Sequence, residues 1–487
     1  MSSIKEESVL IENSNVKSSD SETLQSEMKL EFELKNENNS KDTSSDVDID
    51  LAQASKYYEQ ACAVSQAPEQ FTEHNVQVIP QECLGKVSTT DDVTLSKYED
   101  IGLELISKGK VGVVLLAGGQ GTRLGVDYPK GMFNVGLPSG KSLFQIQAEK
   151  ISKLEHLAQE KFATKCVLPW YIMTSEFTIA PTREFLSKHA YFGLDPEQVI
   201  LFQQRSLPCF SLTGSLLFES PDRVCRAPDG SGGIYEALSR EGVLANMTQR
   251  GVQHVLVYCV DNILVKVGDP VFLGYCVDKG AQCGVKVIER ICPEEKLGVL
   301  CKVNDKYKVV EYSETSNCPL FQTRDTNGEL VYNLGNTCNH YFNIEFLTDV
   351  ATSQESSLKF HKALKKIPCL NENENLVKPD KPNGIKLEKF IFDALEMCDT
   401  LVAWEVNRDE EFAPLKNSTE EKADNADTCC QSVFRLHRRW IEAAGGKLLQ
   451  DETGNIVCEI APHVSYAGEG LEDRVIGKDL QTPLHLE

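Results

Sequence analysis

Apolar, β-branched runs alternate along most of this chain with stretches whose apolar positions recur every three or four residues. Val111 to Leu116 is continuously apolar, as a strand buried on both faces requires. Val167 to Met173, Val199 to Phe202 and His254 to Val260 are further runs of strand length. Ser142, with Gln145 three places on, has the form of a capping box and predicts a helix through Leu157. This alternation predicts an α/β fold with a doubly wound, largely parallel central sheet, whose ligands gather at the carboxyl ends of strands. Three polar clusters follow strands and belong to that edge: Gly118 to Lys130, Gln203-Gln204 and Asp261-Asn262.

The flanks differ. Residues 1–50 hold thirteen Asp/Glu, five Lys, no Gly, Pro or Arg, and a single aromatic, Phe32. Such a segment cannot bury enough apolar surface to offset chain entropy, so it reads as a disordered acidic tail. From Leu51, the positions Ala54, Tyr57, Tyr58 and Cys62 take helical spacing, and 51–110 is predicted to be a helical section packed on the catalytic domain. The catalytic domain is expected over 111–405, followed by a small C-terminal domain over 406–487 with strand-like pieces such as Ile456 to Ile460.

Composition narrows the class. A chain of 487 residues exceeds one hydrophobic core, so several domains are expected. The net charge of −23 argues against a nucleic-acid or anionic-membrane partner, which demands a basic face. No apolar run approaches the roughly 20 residues that span a bilayer. Seventeen cysteines show no C-x-x-C spacing and read as reduced, mostly buried thiols of a cytoplasmic protein. The adjacent pair Cys429-Cys430 is expected in a loop or at the surface.

The chemistry lies in Leu116 to Lys130, a strand end that spills into a glycine-rich loop with Arg123 and Lys130 close behind. Glycines let backbone N–H groups approach anionic oxygens, and the two cations add charge for a polyphosphate. Gly119-x-Gly121-x-x-x-Gly125 is one residue too long for the dinucleotide fingerprint, and no Gly-Lys-Ser/Thr follows as a P-loop requires. The pattern instead resembles the L-x-x-G-x-G-T-x-L…P-K signature of sugar-nucleotide pyrophosphorylases: Leu116, Gly119, Gly121, Thr122, Leu124, Pro129 and Lys130 fill its fixed places.

More of the chain joins the resemblance, over about residues 50 to 475. Ala227 to Tyr235 looks like a second glycine-rich loop, and Val257 to Leu264 resembles the metal-binding strand end of this superfamily. Val309 to Glu314, Gly335-Asn336, Lys381 to Lys386 and Phe412 to Asn417 complete a set similar to the eukaryotic UDP-N-acetylhexosamine pyrophosphorylases. One departure is Ser231, where that family usually has Asn. The resemblance implies a Rossmann-like nucleotidyltransferase fold. It also implies uridylyl transfer from UTP to N-acetylglucosamine 1-phosphate, or its GalNAc counterpart, with release of pyrophosphate.

Residue by residue, the resemblance implies that Arg123, Lys130 and Lys416 carry the chemistry. UTP is implied to meet Leu116, Ala117, Gly118, Gly119, Lys130, Gln204, Gly230, Asp261 and Lys386. The sugar phosphate falls to Ser231, Glu311, Tyr312, Asn336 and Lys416. Asp261 is the implied ligand of Mg²⁺ or Mn²⁺, since hard cations take a carboxylate plus substrate phosphates; its other reading is a cap of a helix or turn. Gln204 offers the donor and the acceptor that a uracil edge requires. Phe390 and Phe392 read as pocket wall and core. The attacking phosphate oxygen is already anionic, so positioning and electrostatics replace a general base. Rival readings are a UDP-glucose or broad UDP-sugar pyrophosphorylase, opposed by Glu311 and Asn336, a catalytically silent nucleotide-binding homologue, opposed by retention of the charged residues, and a dinucleotide-binding oxidoreductase, opposed by the loop spacing. Oligomeric state and sugar preference are left open.

Overall fold

The computed structural model describes residues 56–62, 70–354 and 357–487, so the segment read as a tail lies outside the described residues. The chain divides into two units, of which the larger spans 64–207, 228–361 and 388–487. Its framework is an eleven-stranded sheet. The strands are β1 (Val76–Gln77), β2 (Leu84–Lys86), β3 (Val111–Leu116), β4 (Trp170–Thr174), β5 (Val199–Gln203), β6 (His254–Cys259), β7 (Cys283–Glu289), β8 (Val299–Val303), β9 (Lys306–Val310), β10 (Leu334–Asn343) and β11 (Leu401–Glu405). The main path runs β2-β11-β7-β10-β6-β3-β4-β5; β8 pairs with β10 and carries β1 and β9. Strands β6, β3, β4 and β5 are parallel, as are β7, β11 and β2. Strand β10 is antiparallel to both β6 and β7 and joins the two sets. The sheet is mixed and largely parallel, as expected.

Alternation along β3 sends Val113 and Leu115 into one apolar cluster and Val114 and Leu116 into another. Helices α1 (Asp92–Ser107), α2 (Leu143–Phe162), α3 (Ile179–Lys188) and α6 (Pro270–Asp278) supply the first cluster, through Leu103, Ile151, Leu186 and Phe272. Helices α4 (Ile234–Arg240) and α5 (Val243–Arg250) supply the second, through Leu238 and Met247. Burial on both faces is why β3 is apolar at every position. Helix α2 starts where expected, with Ser142 Oγ accepting from the Gln145 N–H at 3.2 Å, and continues past Leu157 to a left-handed stop at Ala163. Among the described residues no helix is long and apolar enough to cross a membrane.

Two expectations are corrected. Within 51–110, residues 56–62 and α1 are helical, but β1 and β2 lie between them and pair with β8 and β11. Strands of two or three residues are too short to display a period. Cys429 and Cys430 lie on α7 (Ala426–Ala443), both buried in an apolar cluster with Leu143 and Leu415. The C-terminal section has its own small core, where Ile441 near the end of α7 meets Leu448, Ile460 and Val475.

The smaller unit takes in 208–227 and 362–387, with the helical residues 56–62. Its three-stranded sheet places Gly384–Glu388 between His361–Lys365 and Phe210–Ser211. The Tyr58 ring packs 4.7 Å from Phe210, so this first helical piece belongs here.

Candidate active site

Parallel β3, β5 and β6 release their chains at one edge of the sheet. After β3, the Ala117 N–H donates to Met173 O at 2.9 Å and the chain enters the glycine loop. The loop closes on itself: the Gly121 N–H donates to Tyr128 O at 3.0 Å and the Lys130 N–H to Gly119 O at 3.4 Å. Gly125, with φ 81°, turns the chain where a side chain would be strained. Leu116 and Ala117 are buried and so offer backbone groups, whereas a Cβ at Gly119 would meet open space. Arg123 is exposed on the turn Thr122–Leu124 and has no ion-pair partner among the described residues.

The second element of the edge is Gln204, just after β5 and buried. Its N–H donates to Thr174 O at 2.9 Å, and its side-chain Nε2 donates to Asp229 Oδ1 and Gly230 O, each at 2.8 Å. Gly230, at φ 88°, passes so close to the Lys389 backbone that a Cβ would stand 2.4 Å from its carbonyl oxygen. Burial pushes the Asp229 carboxyl up to about 6, against the Gln204 hydrogen bond and the Lys389 charge. Ser231 Oγ accepts from the Ile391 N–H at 3.1 Å and keeps its own proton to donate.

The third element joins cations to a carboxylate. The end of β6 holds the segment Phe412 to Lys416 by backbone and amide contacts. The Leu415 N–H donates to Asp261 O at 2.8 Å, Asn262 Nδ2 donates to Glu411 O at 2.6 Å, and the Ala413 N–H donates to Asn262 Oδ1 at 2.9 Å. Lys130 reaches the same segment, its Nζ 3.1 Å from Leu415 O. The Lys416 N–H is held by Asp424 O at 2.7 Å while its side chain, half-buried, passes Phe412. The Asp261 carboxylate accepts no hydrogen bond among the described residues, so it caps neither helix nor turn. No group of three His, Cys, Asp or Glu side chains gathers around a metal position among the described residues. One partnerless carboxylate fits a hard cation whose other ligands are substrate phosphates and water.

Antiparallel β10 brings Asn336 to this edge. Its backbone N–H donates to Gly298 O at 2.8 Å and its Oδ1 accepts from the Cys338 N–H at 3.0 Å. A Cβ at Gly298 would stand 3.3 Å from Glu311 Oε1, which places Glu311 beside Asn336. Burial, then Cys338 and Glu314, pushes the Glu311 carboxyl up to about 7. Tyr312 is exposed. Phe392 belongs to the core and Phe390 packs against it at 5.0 Å. Lys386 belongs to the smaller unit, half-buried on the strand Gly384–Glu388 and within electrostatic reach of the Cys209 thiol.

Sequence reasoning missed two groups. Asp229 lies inside the second glycine-rich motif but had no assigned role. Beneath the Lys416 segment, buried Lys286 pairs with both Asp269 and Glu411, and Lys266 pairs with Glu411 at 3.1 Å. Burial alone would raise the Glu411 carboxyl, but Lys266 and Lys286 hold it down to about 2. Glu411 directly precedes the Phe-Ala-Pro-Leu-Lys-Asn motif, and that adjacency was the available signal.

Residues 52–448 match the family described as UTP–glucose-1-phosphate uridylyltransferase. The chain belongs to this family. It is thus a uridylyltransferase by descent. It is 48% identical to UDP-N-acetylhexosamine pyrophosphorylase-like protein 1 of Xenopus tropicalis, over 87% of this chain and 85% of that protein. It is 41% identical to the UDP-N-acetylglucosamine pyrophosphorylase of Saccharomyces cerevisiae, over 77% and 78%. The solved uridine diphosphate N-acetylglucosamine pyrophosphorylase of Trypanosoma brucei, in complex with an inhibitor, superposes with a TM-score of 0.75. That comparison has 29% identity and covers 88% of this chain and 86% of that one.

Proposed function

We propose that this uridylyltransferase forms UDP-N-acetylglucosamine and pyrophosphate from UTP and N-acetylglucosamine 1-phosphate, accepting N-acetylgalactosamine 1-phosphate as a second substrate. One observation carries the reading: the segment Ala413 to Lys416 is bonded both to Lys130 of the glycine loop and to the Asp261 strand end. The chain segments that carry two cations and a partnerless carboxylate are thereby tied together, as a site for polyphosphate charge requires. The relatives named above supply the sugar.

In the reaction, an anionic oxygen of the sugar phosphate attacks the α-phosphorus of UTP, and the bond to the pyrophosphate oxygen breaks. The attacking oxygen carries no proton, so no base is required. Arg123 and Lys130 neutralise the triphosphate, and Lys416 holds the sugar phosphate against the α-phosphate. Gln204 and the backbone of Ala117 to Gly119 take the base; Lys386 is assigned to the nucleotide. Glu311, Tyr312, Asn336 and Ser231 take the sugar, as acceptors and donors to its hydroxyl and acetamide groups. A divalent ion, Mg²⁺ or Mn²⁺, held by Asp261 supplies further charge neutralisation when bound. The seventeen free thiols suit a reducing, cytoplasmic setting.

The test is pyrophosphate release with UTP and a panel of hexose 1-phosphates, with and without a chelator. N-acetylhexosamine phosphates should be preferred, release should stop on chelation, and Asp261→Asn should abolish activity without altering the melt. A preference for glucose 1-phosphate would overturn the sugar assignment.

A further inference from the structure

Gln204 has two polar ends, and one of them is fully committed. Both protons of Nε2 are used, on Asp229 Oδ1 and on Gly230 O, each at 2.8 Å. A carboxylate oxygen and a peptide carbonyl are acceptors alone. The amide cannot turn over without setting its own oxygen against both. That pair of partners therefore decides which end is nitrogen. Oε1 faces the other way, onto Gly118, where an added Cβ would stand 2.0 Å from it. It accepts no hydrogen bond among the described residues.

The free end is thus an acceptor in a fixed position beside the glycine loop. On the reading of Gln204 as the base contact, its complement at the centre of a pyrimidine edge is a ring N–H. Uracil presents an N–H at ring position 3, whereas cytosine presents a bare nitrogen there. We propose that Asp229 is a specificity-determining positioning residue: it locks the Gln204 amide so that the site takes a uracil base and rejects cytosine. With the base held in the same placement, two acceptors then face each other in a buried place, and the exocyclic amine of cytosine stands one ring position away from the Gln204 oxygen.

Asp229 is itself held firmly. Its N–H donates to Arg205 O at 3.0 Å, and its carbonyl accepts from the Lys389 N–H at 2.7 Å. A Cβ at Gly233 would stand 2.0 Å from its Oδ1, so the small residue there gives the carboxylate its seat. The charged groups facing it are the Lys389 ammonium and the Glu236 carboxylate, the latter paired with Arg205 and Arg240. Burial pushes Asp229 up to about 6, so it is ionised at neutral pH and titrates just below.

The inference rests on Gln204 meeting the base, and the experiment separates the two. With the full chain, kcat/KM is measured for UTP and CTP, and binding of UMP, CMP and 3-methyl-UMP is titrated directly. Wild type should prefer UMP to both CMP and 3-methyl-UMP. Asp229→Asn and Asp229→Ala should each lower the UTP-to-CTP ratio by at least about tenfold, mainly by improving CTP. An unchanged ratio in both variants, with a collapsed ratio in Gln204→Ala, would overturn the role of Asp229 and leave the base contact standing. An unchanged ratio in Gln204→Ala would remove the base contact and the proposal with it. If the Asp229 variants do not fold, wild type decides the matter between about pH 7.5 and about pH 5.5. Protonation of Asp229 releases its demand for the Gln204 N–H, so the UMP-to-CMP affinity ratio should fall several-fold on acidification. A constant ratio would overturn the proposal.

Discussion

Arg123 and Glu311, both proposed for the site, are set to opposite conditions by their surroundings. Arg123 stands exposed without an ion-pair partner among the described residues, so its charge is available to a ligand. If it stabilises charge that grows at the α-phosphorus, Arg123→Ala should lower kcat by about a hundredfold or more. Arg123→Lys should restore only part, because a point charge replaces a planar fork. Steady-state kinetics with the substrate pair settles both. Glu311 is buried enough that its carboxyl is pushed to about 7, against 4.5 in an open chain. The folded protein therefore binds the extra proton between those values, and Glu311 makes stability fall as pH rises from 4.5 to about 7. Function has the opposite sign, since the carboxylate is the form that accepts from sugar hydroxyls. The KM for sugar phosphate should drop as pH rises through about 7, and Glu311→Gln should flatten both trends, as melts and KM values across that range will show. At this scale the motifs mark polar residues by type and spacing but give no sign of what Asp229 does. A residue whose work is done through another side chain shows no pattern of its own.

Strand β10 illustrates why some elements were legible and others not. β3 was read to its last residue, because a strand buried on both faces is apolar throughout. β10 carries Asn336, Thr337, Asn339 and His340, all buried, and its register against β7 slips between Lys286 and Val287. No periodicity survives a bulge filled with buried polar residues, so the turn in sheet direction could not be foreseen. The buried ion cluster was equally silent, since Lys286, Asp269 and Glu411 are distant in sequence and each reads alone as a surface charge. Its effect on the Lys416 segment is testable. Glu411→Gln leaves buried Lys286 and half-buried Lys266 short of a partner and should cost about 3 to 5 kcal/mol of stability. The Glu411 backbone carbonyl holds Asn262 and loses its side-chain anchor in this variant, so kcat should fall at temperatures well below the melt. Calorimetry and kinetics at one low temperature separate these effects; a variant with unchanged stability and rate would leave the cluster without a role.

Over the whole molecule, the chain carries a net charge of −23 while its proposed substrates are polyanions. The local cations must act within a field that repels UTP at long range. Raising ionic strength from low values should therefore increase kcat/KM for UTP, levelling near 0.1 M, where the Debye length is about 10 Å. A monotonic fall with salt, measured under constant metal, would show that the local cations dominate the approach as well as the binding. The class of fold was legible from alternating elements, and the family from a few ordered motifs. The division into two units was not, because residues 208–227 and 362–387 join across a long separation without any change of composition. A similar separation governs how the large sheet is completed. Leu84 in β2 pairs with Ala403 in β11, so an early strand finds its partner only when most of the chain has been made. During vectorial synthesis β2 must leave the ribosome as an unmatched ribbon, and β7 must wait with a bare flank until β11 emerges. Nascent chains halted before residue 401 should bind holdase chaperones and be cut readily near β2, while chains released beyond β11 should lose both properties together.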